Sequence, residues 1–245
     1  KVGLFDIRGT RYIVVKDTYD LYAQYRYATS QKSSEDAWGT AQETWVKEKL
    51  EATNTWKVVV SSVSFTSLVW DLRAKTDIPD SNLRQRFYFN ADQWDGFPTK
   101  RKELLAAMQD KNVVTLSGDI HASYASVEEG IPALTGPAIS SGTVAELAGT
   151  AVVGAGYAQG SAIYQYVVRE MDDTLKAGNE GLVFSNSEAH GFLTVEFRAG
   201  EALATYHLIP SSEVRKDYSL RSNSELQRQF TTQSLRIQDG QITEA

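Results

Sequence analysis

The hydrophobic pattern of the chain changes period along its length. Residues 56–60, Trp-Lys-Val-Val-Val, and residues 113–117, Val-Val-Thr-Leu-Ser, are short, β-branched and almost continuously apolar, the pattern of strands buried on both faces of a parallel sheet. Ahead of the first run, Trp38, Ala41, Trp45, Val46 and Leu50 recur at helical spacing behind Ser33-Ser34-Glu35-Asp36, which predicts an N-capped helix ending near Thr53. Leu104, Leu105 and Met108 predict a second helix before the second run. Strand, helix and strand therefore alternate, and the central region reads as α/β. Further on, residues 192–197 and 202–209 alternate like strands around Ala199-Gly200, a hairpin, and residues 236–243 form a smaller one around Asp239-Gly240. Residues 1–7 read as a strand, residues 135–162 as a small, Gly-rich stretch, and residues 163–168 are ambiguous in period.

Composition narrows the options. The chain has 245 residues with 42% hydrophobic content, enough for a substantial core. Its net charge of −6 argues against a surface that holds a nucleic-acid scaffold by its phosphates. There is no cysteine, so neither a disulfide nor a thiolate nucleophile or ligand can come from this chain. No apolar run approaches the roughly 20 residues that a membrane-spanning helix needs. A start directly in a strand reads as the beginning of a fragment of something longer.

Chemistry concentrates at Gly118-Asp119-Ile120-His121, just past the second buried strand. In an extended backbone Asp119 and His121 project to the same side, roughly 7 Å apart at Cβ, so one strand end could offer a carboxylate and an imidazole to two metal ions. The alternative is a turn capped by two polar residues. Residues 87–98, aromatic and acidic with Gly and Pro punctuation, read as an ordered loop near a site mouth. Within it and just after it, Trp94, Asp95 and Arg101 are candidates for substrate contact or, alternatively, for loop packing with Asp95 and Arg101 paired. Arg8 and Arg11 could hold a phosphate bidentately or form buried ion pairs. His190 is a candidate at the site rim, or a satisfied histidine; His207 falls within a strand and reads as structural. The glycines at 154, 156 and 160 have the wrong spacing for a dinucleotide loop, and there is no Gly-x-Ser-x-Gly elbow.

Taken in order, these segments resemble the PhoD-like phosphatases, a branch of the calcineurin-like metallophosphoesterases. Asp6-Ile7-Arg8-Gly9-Thr10-Arg11 resembles that family's Asp-Thr-Arg-x-x-Arg strand end, and residues 42–50 its Gln-x-x-Trp-Leu helix. Asp92-Gln93-Trp94-Asp95-Gly96-Phe97-Pro98 with Arg101 is close to its Asp-x-Trp-Asp-Gly-Tyr-Pro-x-x-Arg loop, and leads through a helix into Leu-Ser-Gly-Asp-Ile-His. Residues 135–141 and His190-Gly191-Phe192 fit its later Pro-x-Ile-Ser and Gly-Tyr segments. The resemblance implies a sandwich of two mixed sheets flanked by helices, residues 1–210 being the C-terminal half of that domain and 211–245 a polar extension with a small hairpin. It implies a two-metal centre of calcium and iron with Asp119 and His121 as ligands, and hydrolysis of phosphate monoesters or diesters by an exported, secreted or periplasmic enzyme. The family's remaining ligands lie upstream of the segment matching Asp6, so the expected partner is an N-terminal chain or segment of the same enzyme. A phospholipase D-like diesterase and a non-catalytic interaction module are the competing expectations.

Overall fold

The computed structural model describes residues 12–51 and 55–245. In chain order the strands are β1 (Val14–Val15), β2 (Lys57–Val60), β3 (Val69–Asp71), β4 (Arg86–Tyr88), β5 (Val113–Ser117), β6 (Ser123–Glu128), β7 (Ile131–Thr135), β8 (Leu182–Asn186), β9 (His190–Phe197), β10 (Ala202–Ile209), β11 (Thr231–Gln238) and β12 (Gln241–Glu244). The principal helices are α1 (Lys16–Thr29), α2 (Thr40–Leu50), α3 (Pro98–Met108) and α4 (Val144–Gly154), followed by a helix at Met171–Gly178.

Two sheets face each other. The first is mixed, in the order β2-β5-β7-β6-β8, with β2, β5 and β7 parallel and β6 antiparallel to both its neighbours. The second is antiparallel, β12-β11-β10-β9. Their shared core joins Val114, Ala125 and Leu134 of the first to Ala204, Tyr206, Leu235 and Ile237 of the second. β10 buries every second residue up to its last pair, as a strand with one face on a core must. At the centre, the Tyr206 hydroxyl donates to the backbone oxygen of Tyr124 at 2.6 Å, which satisfies a phenol between two apolar layers. Leu104, Leu105 and Met108 of α3 cover the outer face of the mixed sheet at Val113 and Ala133. A third core, around Trp70, Ile120, Tyr124, Val144 and Leu175, packs the short sheet β1-β4-β3 and the later helices beside the strand ends that carry the candidate site. This is the mixed α/β architecture expected from the sequence.

Local expectations differ in instructive ways. β2 is not buried on both faces: among the described residues it is the edge of its sheet, and Val60 is 79% exposed. The helix predicted from Ser33 begins only at Thr40, because Glu35 turns its carboxylate to the backbone N–H of Lys100 at 2.7 Å and Gly39, at φ +75°, interrupts the helical path. Residues 16–29 form α1, in which Tyr19 and Tyr27 place their hydroxyls on partners, Tyr19 on the Gly96 carbonyl and Tyr27 on Glu103, both at 2.7 Å. The two hairpins turn where predicted. The hairpin of residues 211–245 lies in the sandwich itself, since β11 pairs along β10 and Leu235, Ile237 and Ile242 are buried.

Candidate functional site

β5 delivers the Gly-Asp-Ile-His segment at the C-terminal end of the parallel strands, the usual location of chemistry in such sheets. The backbone there is not extended, as the sequence reading had it. Asp119 and His121 both adopt left-handed conformations, φ +68° and +63°, and the Ile120 N–H donates to the Gly118 carbonyl two residues back at 2.8 Å. A turn this tight drives Ile120 into the core and leaves Asp119 and His121 lining the same cavity. Positive φ is tolerated by aspartate more readily than by histidine, and such strain, on the order of 1–3 kcal/mol per residue, persists where surrounding structure imposes it.

Hydrogen bonds then orient both side chains. His121 Nδ1 lies 2.7 Å from the Gly142 carbonyl oxygen, which can only accept. In the neutral ring Nδ1 therefore carries the proton, and Nε2 has the lone pair to offer a ligand. The Gly142 carbonyl is held by the start of α4, where Thr143 and Glu146 form a reciprocal capping box and the Val144 N–H donates to the His121 carbonyl at 3.0 Å. That Thr-x-x-Glu box is a start signal the sequence reading passed over within its Gly-rich stretch. Asp119 Oδ2 accepts from Gln93 Nε2 at 3.0 Å, and Gln93 Oε1 accepts from the Ser64 backbone N–H. Ser64 donates, so the Gln93 amide can point only one way, with its NH2 on Asp119. Gln93 is 1% exposed, yet nothing in the residue type distinguishes it from its aromatic neighbours' packing filler.

The remaining candidates lie elsewhere. Trp94 is buried, stacks on Phe65 at 4.8 Å between ring centroids, meets Trp38 edge-on at 5.3 Å and donates its indole N–H to Ser61 Oγ at 3.1 Å. Asp95 accepts from Ser67 Oγ at 2.9 Å and from the Leu68 N–H at 2.8 Å. Burial pushes its carboxyl above the usual range, against the pull of the Arg101 guanidinium. Arg101 binds the Phe65 carbonyl and, at 2.5 Å, Glu128. Burial disfavours its charge, and the neighbouring Glu128 and Asp95 outweigh that and raise its pKa. None of the three lines the cavity beside Asp119 and His121. His190 opens β9 opposite Ile209, 2% exposed, with neither ring nitrogen hydrogen-bonded among the described residues, and it too lies outside that cavity lining. His207 stacks on Phe192 at 4.5 Å, as a structural histidine. Arg8, Arg11 and the rest of the Asp6 segment fall outside the described residues.

Gly96 explains why the aromatic loop carries glycine after Asp95. A Cβ there would sit 1.7 Å from the Ala91 carbonyl oxygen, backbone against backbone. Gly96→Ala is expected to destabilise the protein by about 3 kcal/mol, read as a lower urea midpoint at unchanged slope; a midpoint within error of the parent would show that the loop can shift freely.

Asp119 and His121 are suited to cation binding, one oxygen and one neutral nitrogen donor on a strained, hydrogen-bonded segment. Among the described residues no group of three or more histidine, aspartate or glutamate side chains is placed to hold a metal ion.

Comparison with known proteins gives this geometry a context. The profile of the PhoD-like phosphatases matches residues 4–206. Alkaline phosphatase D of Bacillus subtilis (strain 168) is 30% identical over 92 residues, which cover 36% of this chain and 14% of that protein. A solved structure titled "Structure of PhoD" superposes on 84% of this chain and 35% of its own, with a TM-score of 0.51 at 18% identity, a likeness of fold. The chain thus spans well under half the length of either relative.

Proposed function

The chain belongs to the PhoD-like phosphatases, and from that premise we propose that it is the C-terminal, metal-binding part of a two-metal phosphoester hydrolase. The observation that carries the reading is the commitment of His121 Nδ1 to the Gly142 carbonyl and of Asp119 Oδ2 to Gln93. The Nε2 lone pair and the second carboxylate oxygen are outside those bonds. Calcium and iron are the metals we assign to the site; bound there, they would supply Lewis acidity toward a phosphoryl oxygen and a water acidic enough to attack at neutral pH. The residues of this chain contribute the ligand atoms, their fixed orientation and an apolar wall.

Two ligands do not close a dinuclear site, and we assign the others to an N-terminal segment of the same enzyme. Open sheet edges support this. Among the described residues no strand pairs with the outer side of β2 or of β9. The two edges lie together, with Trp56 just before β2 packed 5.5 Å from Phe197 of β9 and donating its indole N–H to the Arg198 carbonyl at 2.8 Å. An exposed strand edge with uncovered valines is a surface that proteins normally cover. No helix among the described residues is long and apolar enough to cross a membrane; we place the enzyme outside the cytoplasm, secreted or periplasmic, a setting in which calcium is readily available.

The test uses the full-length enzyme. Elemental analysis should find bound metal, and hydrolysis of p-nitrophenyl phosphate or its bis ester should disappear on chelation and return with calcium. Metal-free protein that hydrolyses neither ester after calcium and iron addition would leave a non-catalytic module as the function.

Gln93 enters as a positioning residue. Gln93→Leu removes the bond that fixes Asp119 while filling most of the same volume. Loss of such an outer partner costs roughly 10- to 100-fold in metal affinity or activity, and calcium titration should show the weakening directly. Gln93→Glu would replace the donor to Asp119 Oδ2 with a group that can only accept when ionised, so the positioning bond is lost in this variant too. Unchanged calcium affinity in both variants would remove Gln93 from the site.

A further inference from the structure

Apart from Tyr12 and Asn90, the cavity that Asp119 and His121 share is lined on its other sides by apolar or aromatic residues. Its volume is about 240 Å³, and its walls are Trp70 and Phe89 on one side and Val144, Leu147, Ala148 and Ala151 of α4 on the other. The four α4 residues fall at positions i, i+3, i+4 and i+7, one continuous helix face. Two of them are alanine, and it is their small size that leaves room beside the indole of Trp70. That indole is fully buried and its Nε1–H has no hydrogen-bond partner among the described residues. That donor has no accessible surface, and the polar groups that line the cavity besides Asp119 and His121 are Tyr12 and Asn90. An apolar cavity of about 150 Å³ admits benzene, and this one has space for a ring with a small substituent.

We propose that this cavity is a subsite for the organic group of the substrate, and that the enzyme is selective for phosphate esters of aryl or compact apolar alcohols over esters of polar alcohols. The proposal rests on the hydrolase reading for the position of the phosphoryl group, which the Asp119 and His121 end of the cavity would receive. The organic group then enters beside α4, where its apolar surface leaves water. Size and polarity set the limit: a bulky polar group, such as a sugar, would lose hydration against walls whose polar partners besides Asp119 and His121 are Tyr12 and Asn90.

Ala148→Leu and Ala151→Leu fill the cavity from α4 without touching Asp119, His121 or Gln93. In the full-length enzyme each should raise KM for phenyl phosphate roughly 10- to 100-fold, the scale on which a hydrophobic pocket discriminates by size, and should raise KM for methyl phosphate, whose organic group is too small to fill the space beside α4, by less. Binding of phenylphosphonate and of methylphosphonate, followed by calorimetry, separates this inference from the hydrolase reading. Weaker binding of the phenyl compound alone, in a protein that turned over no ester, would uphold the subsite and fail the hydrolase. Equal loss for both probes, or no loss for either, would overturn the subsite whatever the activity. So would a lowered melting temperature with an unchanged substrate profile, because the cavity would then be packing space for another part of the polypeptide.

Discussion

Asp119→Asn is expected to leave the fold of the full-length enzyme intact and to lower kcat/KM for phosphate esters by at least roughly 10³-fold. Asparagine occupies left-handed backbone as readily as aspartate does, so φ +68° at this position is retained. Its side-chain oxygen can still accept from Gln93 Nε2, so no buried donor is orphaned. What disappears is the negative charge. Metal-derived stabilisation of a phosphoryl transition state is worth several kcal/mol, and each 1.36 kcal/mol is about tenfold in rate. His121→Ala should produce a loss of the same order by removing Nε2, and should also release the Gly142 carbonyl at the start of α4. The measurements are melting temperature, metal content and kcat/KM side by side. A parental melting temperature together with lost metal and lost rate is the expected pattern. Retained metal and activity within tenfold in both variants would take these residues out of the metal centre.

That the two residues can be picked from the sequence, and their backbone cannot, follows from what each signal contains. β5 was legible because five consecutive residues, four of them apolar or β-branched, have few options other than a buried strand, and Asp119 and His121 are conspicuous as the first metal-capable groups beyond it. The turn that bends them depends on the packing of Ile120 and on α4, neither of which leaves a mark on the four-residue motif. β2 shows the same limit. Its valines fit a buried strand, but only its place in the strand order makes it an edge among the described residues. α1 was illegible because its inward contacts use Tyr19 and Tyr27, which look polar in a hydrophobicity pattern, with Ala23 as the buried residue besides Tyr27. Gln93 was hidden for a different reason: a glutamine becomes a positioning group only through its neighbours, here a backbone N–H on one side and a carboxylate on the other. For Trp94, Asp95 and Arg101 the sequence left substrate contact and loop packing open, and the structure places all three in the packing of residues 61–68.

That placement makes Arg101→Ala the most destabilising substitution expected outside the apolar core. The guanidinium holds the Phe65 carbonyl through two nitrogens, at 3.1 and 2.7 Å, and Glu128 through one of them. Glu128 in turn accepts from the Ser67 N–H at 3.0 Å, and Asp95 accepts from Ser67 and Leu68. Two carboxylates and one cation thus lace residues 65–68 to α3 and to the end of β6, and the cation is central to both. Removing it leaves buried carboxylates without a counter-charge, which costs about 3–5 kcal/mol. The dependence on pH has a definite sign. Burial already holds Asp95 above its ordinary value and Arg101 opposes that shift, so without Arg101 the folded-state pKa rises further. A carboxyl whose folded pKa exceeds its unfolded one contributes its full stability below the unfolded value and loses it as pH rises through the folded value. The deficit of Arg101→Ala relative to the parent should therefore be largest at neutral pH and shrink on acidification toward the ordinary aspartate range, in urea titrations of the full-length protein. Arg101→Met with Glu128→Gln should recover part of the loss, since it removes charge from both sides. A substrate-binding arginine would behave in the opposite way, raising KM at unchanged stability, and that result would return Arg101 to the active site.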